Sequence, residues 1–209
     1  MCRTVVGVVL ALGLVLGMAG PALGQTDGSS LEGESEGNWE DFDEVEALAK
    51  EGHIASQITL GASYDIGLGV PVDKILSAYW YRRAAEQGEP WSQGTLGLKY
   101  DRGDGVVRDV HKAIRWYRAA AEQGDAVSAY RIAVINRDGR GIPKDLAAAY
   151  WWFRMAAKDG LDSAQFALGE MYENGEGIGQ DLDEAKRWYR KAAEQELEEA
   201  VKALEKLTE

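Results

Sequence analysis

Cysteine is almost missing from this chain. The only one, Cys2, sits at the extreme N-terminus. A chain processed after its leader therefore carries no thiol, which excludes disulfides, thiolate metal sites and a cysteine nucleophile. Histidine is nearly as scarce: His53 and His111 are the only two, and neither has another histidine or a cysteine nearby in sequence. Both read as solvated surface groups, not ligands or bases. No Ser-x-x-Lys, Gly-x-Ser-x-Gly, HExxH or phosphate-loop pattern occurs, so the usual frameworks for acyl transfer, zinc hydrolysis and nucleotide binding are absent. Positive charge is also in deficit. Lysine and arginine number 23 against 35 acidic residues, for a net charge of −12. Such a surface repels nucleic-acid phosphates and anionic membranes, and steers basic partners toward it.

Residues 1–24 read as a secretory signal peptide. Arg3 supplies the basic start, and Val5 to Leu16 is apolar apart from Gly7 and Gly13. Ala22 and Gly24 stand three and one before a cut after Gly24, as the small-residue rule asks. The apolar stretch falls short of the ~20 residues a membrane span needs. The competing reading is a retained signal anchor; a lipoprotein is disfavoured because Cys2 precedes the apolar run. Residues 25–40, rich in Gly, Ser and Glu, read as a disordered acidic linker; Trp39 reads as the start of the folded part, with a short docking motif as the alternative. After cleavage the expectation is a periplasmic or secreted protein with no membrane span.

A period of 36 residues runs through the rest. Trp80, Trp116, Trp152 and Trp188 keep it, as do Tyr81, Tyr117, Phe153 and Tyr189. So do the alanine pairs ending at Ala85, Ala121, Ala157 and Ala193, the glycines Gly67, Gly103, Gly139 and Gly175, and the acids Asp73, Asp109, Asp145 and Asp181. Each position has a physical role. The first half of a unit has apolar or small residues at helical spacing and forms a helix A. Gly61, Gly97 and Gly169 let a neighbouring helix approach. Gly103 and its equivalents suit the left-handed residue that ends a helix. The aspartates cap helix B, and Asp181 with Glu184 has capping-box spacing. The Trp-Tyr pair of helix B supplies bulk, and its Ala-Ala pair a flat face.

One such hairpin cannot bury its own apolar face, so the units must stack. The repeats fall at about 54–88, 90–124, 126–160 and 162–195, with half-repeat caps at 41–52 and 196–209. Where a glycine is expected at position 196 there is Glu196, which would let two helices run together. The third repeat departs most, with Ala133 in place of glycine and Asn136 in place of tyrosine.

The second repeat carries Leu96-Gly97, Tyr100, Gly103-Asp104-Gly105-Val106, Asp109, Lys112-Ala113, Trp116-Tyr117, Ala120-Ala121 and Gly124. This pattern resembles the Sel-one-like repeat (SLR), a relative of the tetratricopeptide repeat (TPR), and the likeness covers about residues 41–209. The resemblance implies an all-α fold, a right-handed α-solenoid of stacked antiparallel helix hairpins. It implies a non-catalytic adaptor or scaffold for a protein or peptide partner, with no cofactor and no metal. Bacterial members are often exported. One cysteine-rich branch has been linked with penicillin binding, but this chain lacks those cysteines. By likeness to TPR proteins, helix A lines the concave face. The residues expected there include Ile58, Ala62, Asp65, Asp101, Asp138, Glu173 and Asn174, and above all Trp91, Leu98, Arg102, Tyr130, Val134, Arg137, Phe166 and Glu170. Half-exposed aromatics in a groove are typical binding anchors; the competing reading packs them between units. Trp151, beside Trp152 with Tyr150 and Phe153 around it, is expected in the core, the alternative being an exposed aromatic cluster that forms a second contact face. The loops Asp101–Gly105 and Glu173–Gly177 lack the spacing of a calcium loop. A second function class stays open: an envelope enzyme or small-ligand binder acting on cell-wall material, related to β-lactams or peptidoglycan. Oligomeric state and partner identity are not legible in the sequence.

Overall fold

The computed structural model describes residues 39–208. The predicted signal peptide and residues 25–38 of the predicted linker lie outside these described residues. Among them there are ten helices and no strand. In chain order these are α1 (Trp39–Glu51), α2 (Ile54–Ile66), α3 (Lys74–Glu86), α4 (Pro90–Arg102), α5 (Val110–Ala121), α6 (Ala126–Asp138), α7 (Leu146–Lys158), α8 (Asp162–Asn174), α9 (Leu182–Ala193) and α10 (Glu198–Lys206). Helix α1 begins two residues inside the segment expected to be linker. It begins at Trp39, the residue read as the start of the folded part. The described residues divide into two compact units: those up to Gln87 with 104–106, and 88–103 with those from Val107 on.

In the first unit, α2 and α3 form a hairpin and α1 packs on α2. Val45, Ala49, Leu60 and Trp80 make its core, with Phe42 and Tyr64 against them. In the second unit α4–α5, α6–α7 and α8–α9 are hairpins, each packing on the next, with α10 closing on α9. Its core is mostly alanine (Ala129, Ala133, Ala149, Ala156, Ala164 and others) around Phe153, Leu168 and Met171. Small residues let helix backbones approach closely, while each fully buried Phe or Leu contributes about 1.5–3 kcal/mol.

The repeat fixes both ends of each loop. Gly67, Gly103, Gly139 and Gly175 end helices A with φ between 69° and 78°. The aspartates then cap helix B as expected: Asp109 accepts from Lys112 N at 3.0 Å and Asp145 from Ala148 N at 2.9 Å. Asp73 and Asp181 each accept from two backbone amides. Such a cap is worth about 1 kcal/mol. The amide of each aspartate is also used. Asp73 N donates to Tyr64 O, Asp109 N to Tyr100 O, Asp145 N to Asn136 O and Asp181 N to Tyr172 O, all at 2.9 Å. This bond leaves the capping box expected at Asp181 half made: its Oδ1 accepts from Glu184 N at 3.0 Å, but the reciprocal bond from its own amide is missing. Its amide already points at Tyr172, and Glu184 instead pairs with Arg187.

The run-together helices expected at Glu196 do not form either. Helix α9 stops at Ala193 and α10 starts at Glu198. Glu196 takes φ 65°, the region that Gly52, Gly88, Gly124 and Gly160 occupy between the other repeats. Burial of Ala200 requires the chain to turn back, and that packing outweighs a left-handed cost of about 1–2 kcal/mol.

A clamp not foreseen from the sequence joins successive helices. In the first unit, Gln57 Nε2 donates to Ala49 O at 3.0 Å, while Gln87 Nε2 donates to Gln57 Oε1 at 2.8 Å and Gly52 O at 3.0 Å. In the second unit, Gln123 Nε2 donates to Gln93 Oε1 at 2.8 Å. Gln165 Nε2 donates to Ala157 O at 3.2 Å, and Gln195 Nε2 to Gln165 Oε1 at 3.0 Å. The third repeat has Ala129 and Asp159 at the two positions: both amides are lost together.

Candidate partner-binding surface

Each helix A meets the aromatic ring of its own helix B. A Cβ built on Gly61 would lie 3.0 Å from the Tyr81 ring, on Gly97 2.6 Å from Tyr117, and on Gly169 2.5 Å from Tyr189. The glycines are there because the rings leave no room. In the third repeat Ala133 faces Phe153 and both are fully buried, so helix A persists despite the departures from the pattern.

One turn further along helix A stands a polar side chain beside each ring. Tyr189 Oη donates to Glu173 Oε2 at 2.7 Å. The Asp65 carboxylate adds to burial in holding the Tyr81 hydroxyl above its usual range. Asp101 acts the same way on Tyr117, again behind burial. Where Phe153 has no hydroxyl the acid is replaced by Arg137, whose guanidinium lies 5.5 Å from the ring centroid. This packing corrects two expectations. Asp101 and Ala62, expected to face solvent, are buried. Asp101 is covered by Arg140, 3.8 Å from its Oδ2, and by Arg108, whose Nε donates to its carbonyl at 2.8 Å.

The main candidates all belong to the second unit. Arg102 is exposed, and Trp91, Leu98, Tyr130, Val134, Arg137, Phe166 and Glu170 are half-buried. Tyr130 meets Phe153 edge-on at 5.5 Å, and Phe166 lies 5.5 Å from Tyr189 at a tilt. Each ring thus keeps one side on the core and leaves the other partly open. Tyr130 and Val134 also rest on the core cluster. Glu170 is the one candidate whose surroundings oppose its charge. Burial pushes its carboxyl upward, Arg137 lowers it, and Glu173 and Glu176 raise it further. The structure therefore gathers Tyr130, Arg137, Phe166 and Glu170 around two buried rings. Val127, 47% exposed, joins the same surface. The signal for it was its place one period after Trp91.

The opposite helices hold a second correction. Trp151, expected in the core, is 62% exposed, with Met155 39% exposed one turn on. The core position of α7 is filled by Phe153, and Trp152 packs beside it; Trp151 points away from both. His53 and His111 are exposed. A shallow depression lies at Asn136, Ile142, Pro143, Lys144, Asp145 and Leu146, where Asn136 is smaller than the tyrosine of other repeats. Among the described residues no helix is long and apolar enough to cross a membrane, and no group of three potential metal ligands occurs.

The Sel1 repeat model matches residues 54–89, 96–125, 126–161 and 162–197. A protective antigen of uropathogenic Escherichia coli with an SLR fold is 37% identical, at TM-score 0.70, over 74% of this chain and 33% of that one. A Sel1 repeat protein of Oxalobacter formigenes is 31% identical, at TM-score 0.71, over 79% of this chain and 48% of that one. This chain thus aligns with a third to a half of the length of those relatives. The cysteine-rich protein B of Helicobacter pylori, 19% identical at TM-score 0.52, shares the fold. A search of curated proteins finds none that matches. Repeats of this kind generally act as non-enzymatic scaffolds for protein–protein interaction. Four matched repeats and two relatives above 30% identity make this all-α chain of stacked helix hairpins a member of the Sel1 repeat family.

Proposed function

We propose that this chain is an exported adaptor that holds a partner protein or peptide on the helix-A face of its second unit. One observation carries the reading. Tyr130 and Phe166 are anchored on Phe153 and Tyr189 yet keep part of each ring open. A ring already fixed on one side loses little entropy when a partner covers the other, which is how hot spots gain affinity. Glu170 supports it. A half-buried carboxylate whose pKa is raised by burial costs stability at neutral pH, and such groups gather at functional sites. Export to the periplasm or beyond rests on the signal-peptide reading of residues 1–24.

The test is crosslinking capture by the tagged full-length chain, expressed with its leader in its native host. Two variants serve as controls: Trp91→Ala with Tyr130→Ala and Phe166→Ala, and the surface pair Arg102→Glu with Val127→Glu, which spares the core contacts. One protein captured by the parent and lost from both still-helical variants would support the reading. Equal capture by all three would overturn it. Retention of labelled penicillin or muropeptide by the pure protein would favour a small-ligand site instead. Cell fractionation checks the location.

A further inference from the structure

We propose that the helix-B side of the second unit is a separate docking surface for an acidic peptide segment carrying an apolar side chain. Within this acidic protein, the B helices of that unit are locally basic. Helices α5 and α7 contain no acidic residue, and α9 confines its two, Asp183 and Glu184, to its first turn. The acids that flank these helices stand at their ends: Asp109, Asp145 and Asp181 at the N-caps, and Glu122, Asp159 and Glu194 at the C-caps.

Against this, two rows repeat at the 36-residue period: Arg118, Arg154 and Arg190, and Arg115, Trp151 and Arg187. Among the described residues, Arg187 pairs with Glu184, while Arg115, Arg118, Arg154 and Arg190 are in no ion pair. These cations are not idle. Arg154 lies 5.2 Å from the Trp151 ring centroid and 6.0 Å from that of Tyr150. Arg118 lies 5.9 Å from Trp152, and Lys191 4.2 Å from Trp188. A guanidinium stacked on a ring is ordered in advance, and its N–H edge stays free for a carboxylate. Trp151 and Met155 present the apolar area that such a face needs in order to bind and not merely attract.

Charge and size select the occupant. An anionic lipid surface or long polyanion would also meet the excess of acids carried by the rest of the chain. A short acidic segment meets only this strip. An apolar residue at its centre would cover Trp151, and flanking carboxylates would reach Arg118, Arg154 and Arg190.

The probe is a labelled oligoglutamate peptide with one central phenylalanine, set against the same peptide built of lysine. Phosphatidylglycerol vesicles test the lipid alternative. The full processed chain is expected to bind the glutamate peptide, more weakly as salt rises, and not the lysine peptide. Arg118→Glu with Arg154→Glu should weaken binding about tenfold or more, and Trp151→Ala about fivefold. Arg118→Gln with Arg190→Gln gives a milder loss without charge reversal. Arg118, Arg190 and Trp151 are exposed and Arg154 is half-buried, outside the core, so melting should change little. Arg102→Glu with Val127→Glu on the helix-A face should leave the affinity intact, which separates this surface from the one proposed above. Equal binding of both peptides, parent-like binding by the helix-B variants, or binding of vesicles in place of the peptide would overturn the proposal.

Discussion

The Tyr189 hydroxyl donates to Glu173 at 2.7 Å, while the hydroxyl of Tyr117, two repeats earlier, is buried without a hydrogen-bond partner. The two rings occupy the same place against Gly169 and Gly97. An unmet buried hydroxyl costs what a made one returns. Tyr189→Phe should therefore cost about 1–2 kcal/mol, and Tyr117→Phe should be neutral or stabilise by up to about 1 kcal/mol. Denaturant midpoints of the two variants check this. Equal losses at both sites would show that the Glu173 bond has no special weight.

Glu196 provides a conformational test. It holds φ 65°, where every equivalent position is glycine. A Cβ at Gly88, Gly124 or Gly160 would meet nothing within 4 Å, so backbone strain is the only objection to a side chain there. Glu196→Gly should stabilise the C-terminal hairpin by about 1 kcal/mol, and Gly124→Ala should cost a similar amount. Hydrogen exchange of the α10 amides would report the first change locally.

Close packing predicts a larger effect at Gly97. An alanine Cβ would lie 2.6 Å from the Tyr117 ring, and overpacking of this kind costs about 1–3 kcal/mol. Thermal melting of Gly97→Ala should show the loss. An unchanged melt would mean that the ring can slide aside.

High pH should unfold the protein through its tyrosines. Burial is the first cause holding the hydroxyls of Tyr64, Tyr81, Tyr117, Tyr172 and Tyr189 above the ordinary value of 10.0, with Tyr172 pushed up to about 12. Each folded value is raised, so its contribution to stability is complete below pH 10 and is lost as pH climbs through the folded values. The denaturant midpoint should hold up to about pH 10 and fall steadily toward pH 12. Ultraviolet titration should show a late class of phenolates that ionises with unfolding. Early ionisation of all the tyrosines in a still-folded chain would contradict this.

The glutamine clamp can be tested against the solution that the third repeat already contains. Gln57→Leu removes the Gln57 Nε2 bond to Ala49 O and the Gln87 Nε2 bond to Gln57 Oε1, while Ala49 O keeps Gly52 N and Gln87 Nε2 keeps Gly52 O, and should cost about 1–2 kcal/mol. Gln165→Ala with Gln195→Asp copies Ala129 and Asp159 and should cost less than Gln165→Leu alone. Urea midpoints distinguish the cases.

The sequence by itself determined the repeat, the helix pairs, the loop glycines and the aspartate caps. These follow from local rules: period, propensity and backbone conformation act within a few residues and recur at 36. It also marked Gly97 as a place of close approach. What it could not decide were choices between surfaces. Asp101 and Arg137 hold the same register, yet one is buried and the other half-open, because cover comes from Arg140 and Arg108 in loops away from the helix. Trp151 and Trp152 are neighbours in sequence, but only one finds room beside Phe153. Glu196 bends against its own preference because burial of Ala200 requires the turn. The glutamine clamp was invisible for the same reason: its partners sit in different helices, and only packing brings them together.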